Sequence, residues 1–79
     1  MKAELKGTHL NNLLVYVDGN KVGRMDYDHK RLYLYEEYSM LDQEELIQAL
    51  KDDEIYRGLV DAEVAEKYWN DVDVSVEDL

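Results

Sequence analysis

Leu13-Leu14-Val15-Tyr16-Val17 runs directly into Asp18-Gly19-Asn20, and that junction constrains the fold more than any other stretch of the chain. The run is rich in β-branched and aromatic residues, which suit a pleated strand. Gly and Asn tolerate the positive φ of a tight hairpin turn, so the chain reverses there. Lys21-Val22-Gly23-Arg24-Met25-Asp26-Tyr27 returns as a second strand, with its alternation broken around Gly23 as at a β-bulge. Asp28-His29-Lys30 is the next turn and Arg31-Leu32-Tyr33-Leu34-Tyr35 the third strand. Side chains alternate along a strand, so Leu32 and Leu34 share one face and Tyr33 and Tyr35 the other. Lys2 to Lys6 supplies a candidate strand before these.

Beyond Ser39 the period changes. Asp42-Gln43-Glu44-Glu45 matches an acidic N-cap with Glu three residues later, after which Leu41, Leu46, Ile47 and Leu50 fall close to one helical face. Asp52-Asp53-Glu54 reads as an interruption, followed by a second helical stretch through Ile55, Tyr56, Leu59 and Val60 that Gly58 weakens. Asp61 caps a further segment, Ala62 to Asn70, whose Ala62, Ala65 and Trp69 form a seam against the sheet. Asp71 to Val76 alternates with period two, as a short last strand or an extended tail at a sheet edge does. The expected class is α+β: an antiparallel β-meander of three to four strands, then two or three short helices and a short C-terminal strand. Residues 1–79 read as a single domain, with 1–38 β-rich and 39–79 mainly helical.

The two parts differ sharply in charge. Residues 1–40 hold six basic groups (Lys2, Lys6, Lys21, Arg24, Lys30, Arg31) and six acidic ones. Residues 41–79 hold thirteen acids against Lys51, Arg57 and Lys67, so the whole net charge of −10 lies there. Such asymmetry points to an interaction surface. The acids are Asp42, Glu44, Glu45, Asp52, Asp53, Glu54, Asp61, Glu63, Glu66, Asp71, Asp73, Glu77 and Asp78. With Lys and Arg almost absent from the segment, the usual interleaved pairs four residues apart are not expected.

An acidic excess opposes direct binding to nucleic acid or to anionic lipid, since both require Lys and Arg. The longest apolar stretch is too short to cross a bilayer, and Met1-Lys2-Ala3-Glu4-Leu5-Lys6 is no signal peptide, so the expected location is cytoplasmic. The absence of cysteine removes disulfides, thiol catalysis and cysteine-ligated zinc. Thr8, Ser39 and Ser75 lack an activating base in a recognisable setting: Ser39 reads as a helix cap and Ser75 as a solvent-facing strand residue. His9 and His29 stand twenty residues apart near turns, unlike closely spaced metal ligands. Asp71-x-Asp73-x-Ser75 begins like a calcium loop, but Val76 stands where that loop needs Gly. No phosphate-cradling glycine motif is present. The expectation is a protein that is no enzyme and needs neither cofactor nor metal.

What remains is surface. Carboxylates four apart on a helix are about 6 Å apart along its axis. DNA places one phosphate per roughly 3.4 Å on each strand, so a helical row of acids approximates alternate phosphates. The expected partner is therefore a protein with a basic nucleic-acid-binding groove, met by Asp42, Glu44, Glu45, Asp52, Asp53, Glu54, Asp61, Glu63, Glu66, Asp71 and Asp73. Tyr16, Tyr27, Tyr33, Tyr35 and Tyr38 form a cluster that serves mainly as core, with Tyr33 and Tyr35 as secondary aromatic anchors for a protein partner. A domain this small has a thin stability margin, which also makes a second copy of the chain a candidate partner.

In size, charge, lack of cysteine and α+β layout, the chain resembles the small acidic proteins that phages use against host defence, the nucleic-acid-mimicking anti-CRISPR and anti-restriction proteins. The resemblance implies an inhibitor of a CRISPR effector or restriction enzyme, acting in the host-cell cytoplasm. Val15-Tyr16-Val17-Asp18-Gly19-Asn20-Lys21-Val22-Gly23-Arg24-Met25, with Leu32-Tyr33-Leu34-Tyr35 and Tyr38, is also similar to the N-terminal β-subdomain of HipA-type toxin kinases. That likeness spans residues 13–38, and the catalytic motifs of those kinases have no counterpart here. It implies a β-hairpin module and an alternative role as a protein-interaction module or antitoxin-like regulatory subunit.

Overall fold

The turn after Val17 forms where expected, but its positive φ values fall on Asp18 and Gly19, 49° and 86°, and not on Asn20, which already pairs with Val17 as the first residue of the returning strand. In the computed structural model, which describes residues 1–77, five strands and two helices are built around that hairpin. The strands are β1 (Ala3–Lys6), β2 (Leu13–Val17), β3 (Asn20–Asp26), β4 (Arg31–Tyr35) and β5 (Asp73–Glu77). A 3-10 turn (Glu36–Tyr38) leads from β4 to α1 (Gln43–Tyr56) and α2 (Ala62–Asn70). The sheet order is β1-β2-β3-β4-β5. The α+β class stands.

Its details differ from the expected layout in three ways. Lys2 to Lys6 does supply a strand, β1, so four antiparallel strands precede the helices. The last strand then joins β4 in parallel, with Leu32 beside Val74 and Leu34 beside Val76. The cause is the connection: α1 and α2 carry the chain back over one face of the sheet, and a crossover of this kind returns it parallel. Third, Asp52-Asp53-Glu54 does not interrupt α1. Gln48 donates to Asp52 at 2.8 Å and Arg57 to Asp53 at 3.2 Å, so the acids are held in helical register. The helix stops at Gly58, whose φ is 71°. Its N–H donates to Ile55 C=O and that of Leu59 to Glu54 C=O, the paired bonds of a Schellman ending.

Asp42 and Asp61 start the two helices as the sequence predicts, whereas Ser39 ends the 3-10 turn and starts no helix. Asp42 accepts from Glu45 N–H at 3.1 Å and Asp61 from Val64 N–H at 2.9 Å. The irregularity near Gly23 is real as well: Val15 pairs with Gly23 and Tyr16 with Lys21, leaving Val22 as the extra residue.

The core lies between the sheet and the helices. Val15, Val22, Met25, Leu32 and Leu34 meet Leu46 and Leu50 of α1 and Ala65 and Trp69 of α2. Ala62, expected in that seam, is exposed at the first position of α2. No helix among the described residues is long and apolar enough to cross a membrane.

Candidate functional site

The acids expected to meet a partner fall into three groups. Asp42, Glu44, Glu45, Asp52, Asp61, Glu63, Glu66, Asp71 and Asp73 are exposed. Asp53 is half-buried and held by Arg57, which also bonds Glu4 at 2.7 Å. Glu54 is buried, only 7% exposed, and turns into the protein rather than toward a partner. Asp78 lies outside the described residues.

Glu54 follows Leu46 and Leu50 at intervals of four, so it occupies the inward stripe of α1. One carboxylate oxygen accepts the Trp69 indole N–H at 2.5 Å and the other the Tyr27 hydroxyl at 2.5 Å. Tyr68 stacks on Tyr27 with ring centroids 4.3 Å apart and donates its hydroxyl to Tyr27 C=O at 2.6 Å. Burial, then the bond to Glu54, pushes the Tyr27 phenol well above its usual range, and burial does the same to Tyr68. These groups are structural: both carboxylate oxygens are occupied and both phenols are held protonated. The spacing 46, 50, 54 was the available signal for this inward acid. It was hidden by reading three consecutive acids as a break.

Several exposed acids have cationic neighbours. Lys51 bonds Glu66 at 2.8 Å, Lys30 approaches Asp71 at 3.5 Å, and the N-terminal ammonium lies 3.8 Å from Glu45. Two pairs four residues apart do form, Arg57 with Asp53 and Lys67 with Glu63, contrary to the expectation that none would. The scarce cations of this half are placed where each reaches an acid. Of the six basic residues in the first half, Arg24 and Lys30 cross to the acidic half. Arg24 grips Glu77 through two bonds of 2.9 and 3.0 Å, which hold the Glu77 carboxyl below its usual range. Lys6 stays near Glu4 and over the Tyr16 ring, and Lys21 lies over the Tyr35 ring. The net charge of the acidic half is therefore not cancelled from the first half.

α1, α2 and β5 enclose an open groove of about 440 Å³. Glu44 of α1 and Glu66 of α2 line it, with Lys51 beside Glu66 and with Ile47 and Val74 among its apolar residues, while Asp73 borders it from β5 with its side chain on the opposite, tyrosine-side face by alternation with Val74. Acids distant in sequence thus share one concave surface. Asp42 and Asp61, by contrast, are engaged as helix caps.

The opposite face of the sheet is different in kind. Tyr16, Tyr33 and Tyr35 are half-buried there, with Lys6, Arg24 and Lys21 over their rings at 4.5, 4.3 and 5.6 Å. Tyr27, Tyr38 and Tyr68 instead pack against the core. A second concavity, of about 360 Å³ and mainly apolar, lies below the Tyr27–Glu54 bond, with the exposed Leu10 and Leu59 at its lip. His29 Nδ1 is 2.8 Å from Asp26 Oδ2 in an exposed turn, and His9 is exposed in the loop after β1. Among the described residues no three His, Cys, Asp or Glu side chains are grouped to hold a metal ion. No protein-family model, curated protein or solved structure matches the chain.

Proposed function

We propose that this protein is a small non-enzymatic inhibitor that binds a basic nucleic-acid-binding protein through its acidic surface and blocks access of the nucleic acid. The observation that carries this reading is the placement of Glu44 and Glu66, from two helices, on one groove, in a half of the chain whose charge stays uncancelled. Lysine and arginine side chains combine an aliphatic stem with a charged head, and a groove with an apolar floor and acidic rim suits both parts. Exposed carboxylates on ordered helices would steer such a partner at long range and compete with phosphate for it. A CRISPR effector or a restriction enzyme is the partner class that the resemblance suggests, with both proteins in the host-cell cytoplasm.

The test is binding of the purified protein to such an effector across a salt series. Affinity should fall steeply from low to moderate salt and drop further when Glu44 and Glu66 are changed to Lys. Affinity that stays flat with salt would remove the mimicry mechanism.

A second reading is favoured by Tyr33 and Tyr35, which stand on the sheet face away from both helices. There the protein is an interaction module or antitoxin-like regulatory subunit that uses its aromatic sheet. Tyr33→Ala with Tyr35→Ala should then abolish capture of the partner while charge reversal on the helices leaves it intact.

A further inference from the structure

The sheet has two edges, and they are protected unequally. β1 is four residues long, with Ala49, Asp53 and Tyr56 of α1 beside Ala3 and with Arg57 bonded to Glu4. β5 closes the other side of the sheet, with no strand beyond it among the described residues. Asp73 N–H donates to Lys30 C=O at 2.9 Å, so the backbone of Asp73, Ser75 and Glu77 faces β4. By alternation the N–H and C=O groups of Val74 and Val76 face outward, a ready template for another strand.

Three further features decide what that strand is. Val76 lies on the helix-side face next to buried Leu34 yet is 47% exposed, so the apolar layer is unfinished at this margin. Asp73 and Glu77 project from the same strand on the tyrosine side, with Asp71 just before it. Pairing of two β5 strands centred on Ser75 would set Asp73 against Glu77 twice, and like charges directly opposite are destabilising. Finally, β5 is already fixed: Arg24 of β3 reaches across β4, over the Tyr33 ring, to grip Glu77. A strand held in place costs less to pair with than one that must first be ordered.

We propose that the outer edge of β5 is a docking site for an extended segment of a partner protein in which Lys or Arg alternates with aliphatic residues. The aliphatic side chains extend the layer begun by Val74 and Val76, the cations face Asp73 and Asp71, whose charges Arg24 does not hold, and the backbone continues the sheet. This rests on the reading of a cationic partner and adds the mode of capture. It also disfavours pairing with the chain's own second copy in the register centred on Ser75, where Asp73 would meet Glu77.

The experiment uses the full chain, isotopically labelled, and a synthetic peptide alternating lysine with valine. Binding should shift the amide resonances of residues 73–77 and slow hydrogen exchange at Val74 and Val76. N-methylation of alternate peptide amides should weaken binding about tenfold, as the loss of one or two hydrogen bonds does. Val76→Pro removes an outward donor at an edge position where proline is tolerated, and should weaken binding similarly with an unchanged melting temperature. A peptide alternating glutamate with valine should not bind. Failure of the lysine peptide to bind, equal binding of its N-methylated form, or shifts confined to α1 and α2 would each overturn edge pairing. Shifts confined to the helices would still leave the acidic-surface reading standing. A salt-insensitive effector with protected Val74 and Val76 would do the reverse.

Discussion

Glu54 and Trp69 join the two helices through a single bond, the indole N–H of α2 donating to the carboxylate of α1 at 2.5 Å. The same carboxylate accepts from Tyr27, just past β3, so one side chain ties both helices to the sheet. Burying a charge is costly unless it is hydrogen-bonded, and here both oxygens are. Replacing Glu54 by Leu would strand the buried Trp69 donor and the half-buried Tyr27 donor, the first costing about 1–3 kcal/mol and the second less. Glu54→Leu should therefore destabilise by about 2–4 kcal/mol, read by urea unfolding with Trp69, the chain's one tryptophan, as the fluorophore. Glu54→Gln should cost less, because one carbonyl oxygen still accepts. A Leu variant as stable as the parent would show that the network contributes nothing net.

The same network sets an alkaline limit. The Tyr27 and Tyr68 phenols are raised above their ordinary value of 10.0, chiefly by burial. A folded state that holds a proton more tightly than the unfolded chain keeps that stabilisation below the unfolded value and loses it as pH rises. Stability should be level up to about pH 10 and fall beyond it. Tyr27→Phe with Tyr68→Phe should flatten that fall, with thermal unfolding followed by circular dichroism across the alkaline range.

Much of this architecture is legible in residue types alone. The Asp18-Gly19 turn, the caps Asp42 and Asp61, and the split of Leu32 and Leu34 from Tyr33 and Tyr35 follow from local chemistry, and local chemistry is what a sequence displays. The parallel direction of β5 is not local, since it depends on where two helices bring the chain back. Glu54 shows the other kind of failure. Its charge suggested solvent, while its spacing from Leu46 and Leu50 placed it inside, and the two donors that make this tolerable lie in distant segments. The groove that Glu44 and Glu66 line was foreshadowed by acid content, but its walls come from α1, α2 and β5, whose meeting is a tertiary fact.

Gly23 sits where the bulge presses β3 against β4. A Cβ built there would lie 2.0 Å from the Tyr33 carbonyl oxygen and 3.0 Å from its carbon. Backbone cannot swing aside as a side-chain tip can, so Gly23→Ala must part the two strands. Overpacking typically costs about 1–3 kcal/mol, and this contact belongs at or above the top of that range. Gly58→Ala meets no atom within 4 Å and is strained only by its φ of 71°, so it should cost about 1–2 kcal/mol. Melting temperatures of the two variants should rank accordingly, and the reverse order would mean that the strands part freely at the bulge.

Salt distinguishes a surface dominated by repulsion from one held by ion pairs. Screening weakens both, so the sign of the effect reports which is larger. Pairs such as Lys67 with Glu63, at 3.7 Å and with both side chains about 80% exposed, contribute little. Arg24 with Glu77 is bidentate and only about a third exposed, and it responds less to salt. Against these few contacts stands a net charge of −10 on 79 residues, all of it in one half. Repulsion should win, and added sodium chloride should raise the melting temperature. Asp52→Lys, exposed on α1 and bonded among the described residues only to Gln48, should stabilise the protein by about 0.5 kcal/mol and reduce that salt response. A melting temperature that falls with salt would mean that the ion pairs outweigh the repulsion, leaving too little uncompensated charge to steer a cationic partner.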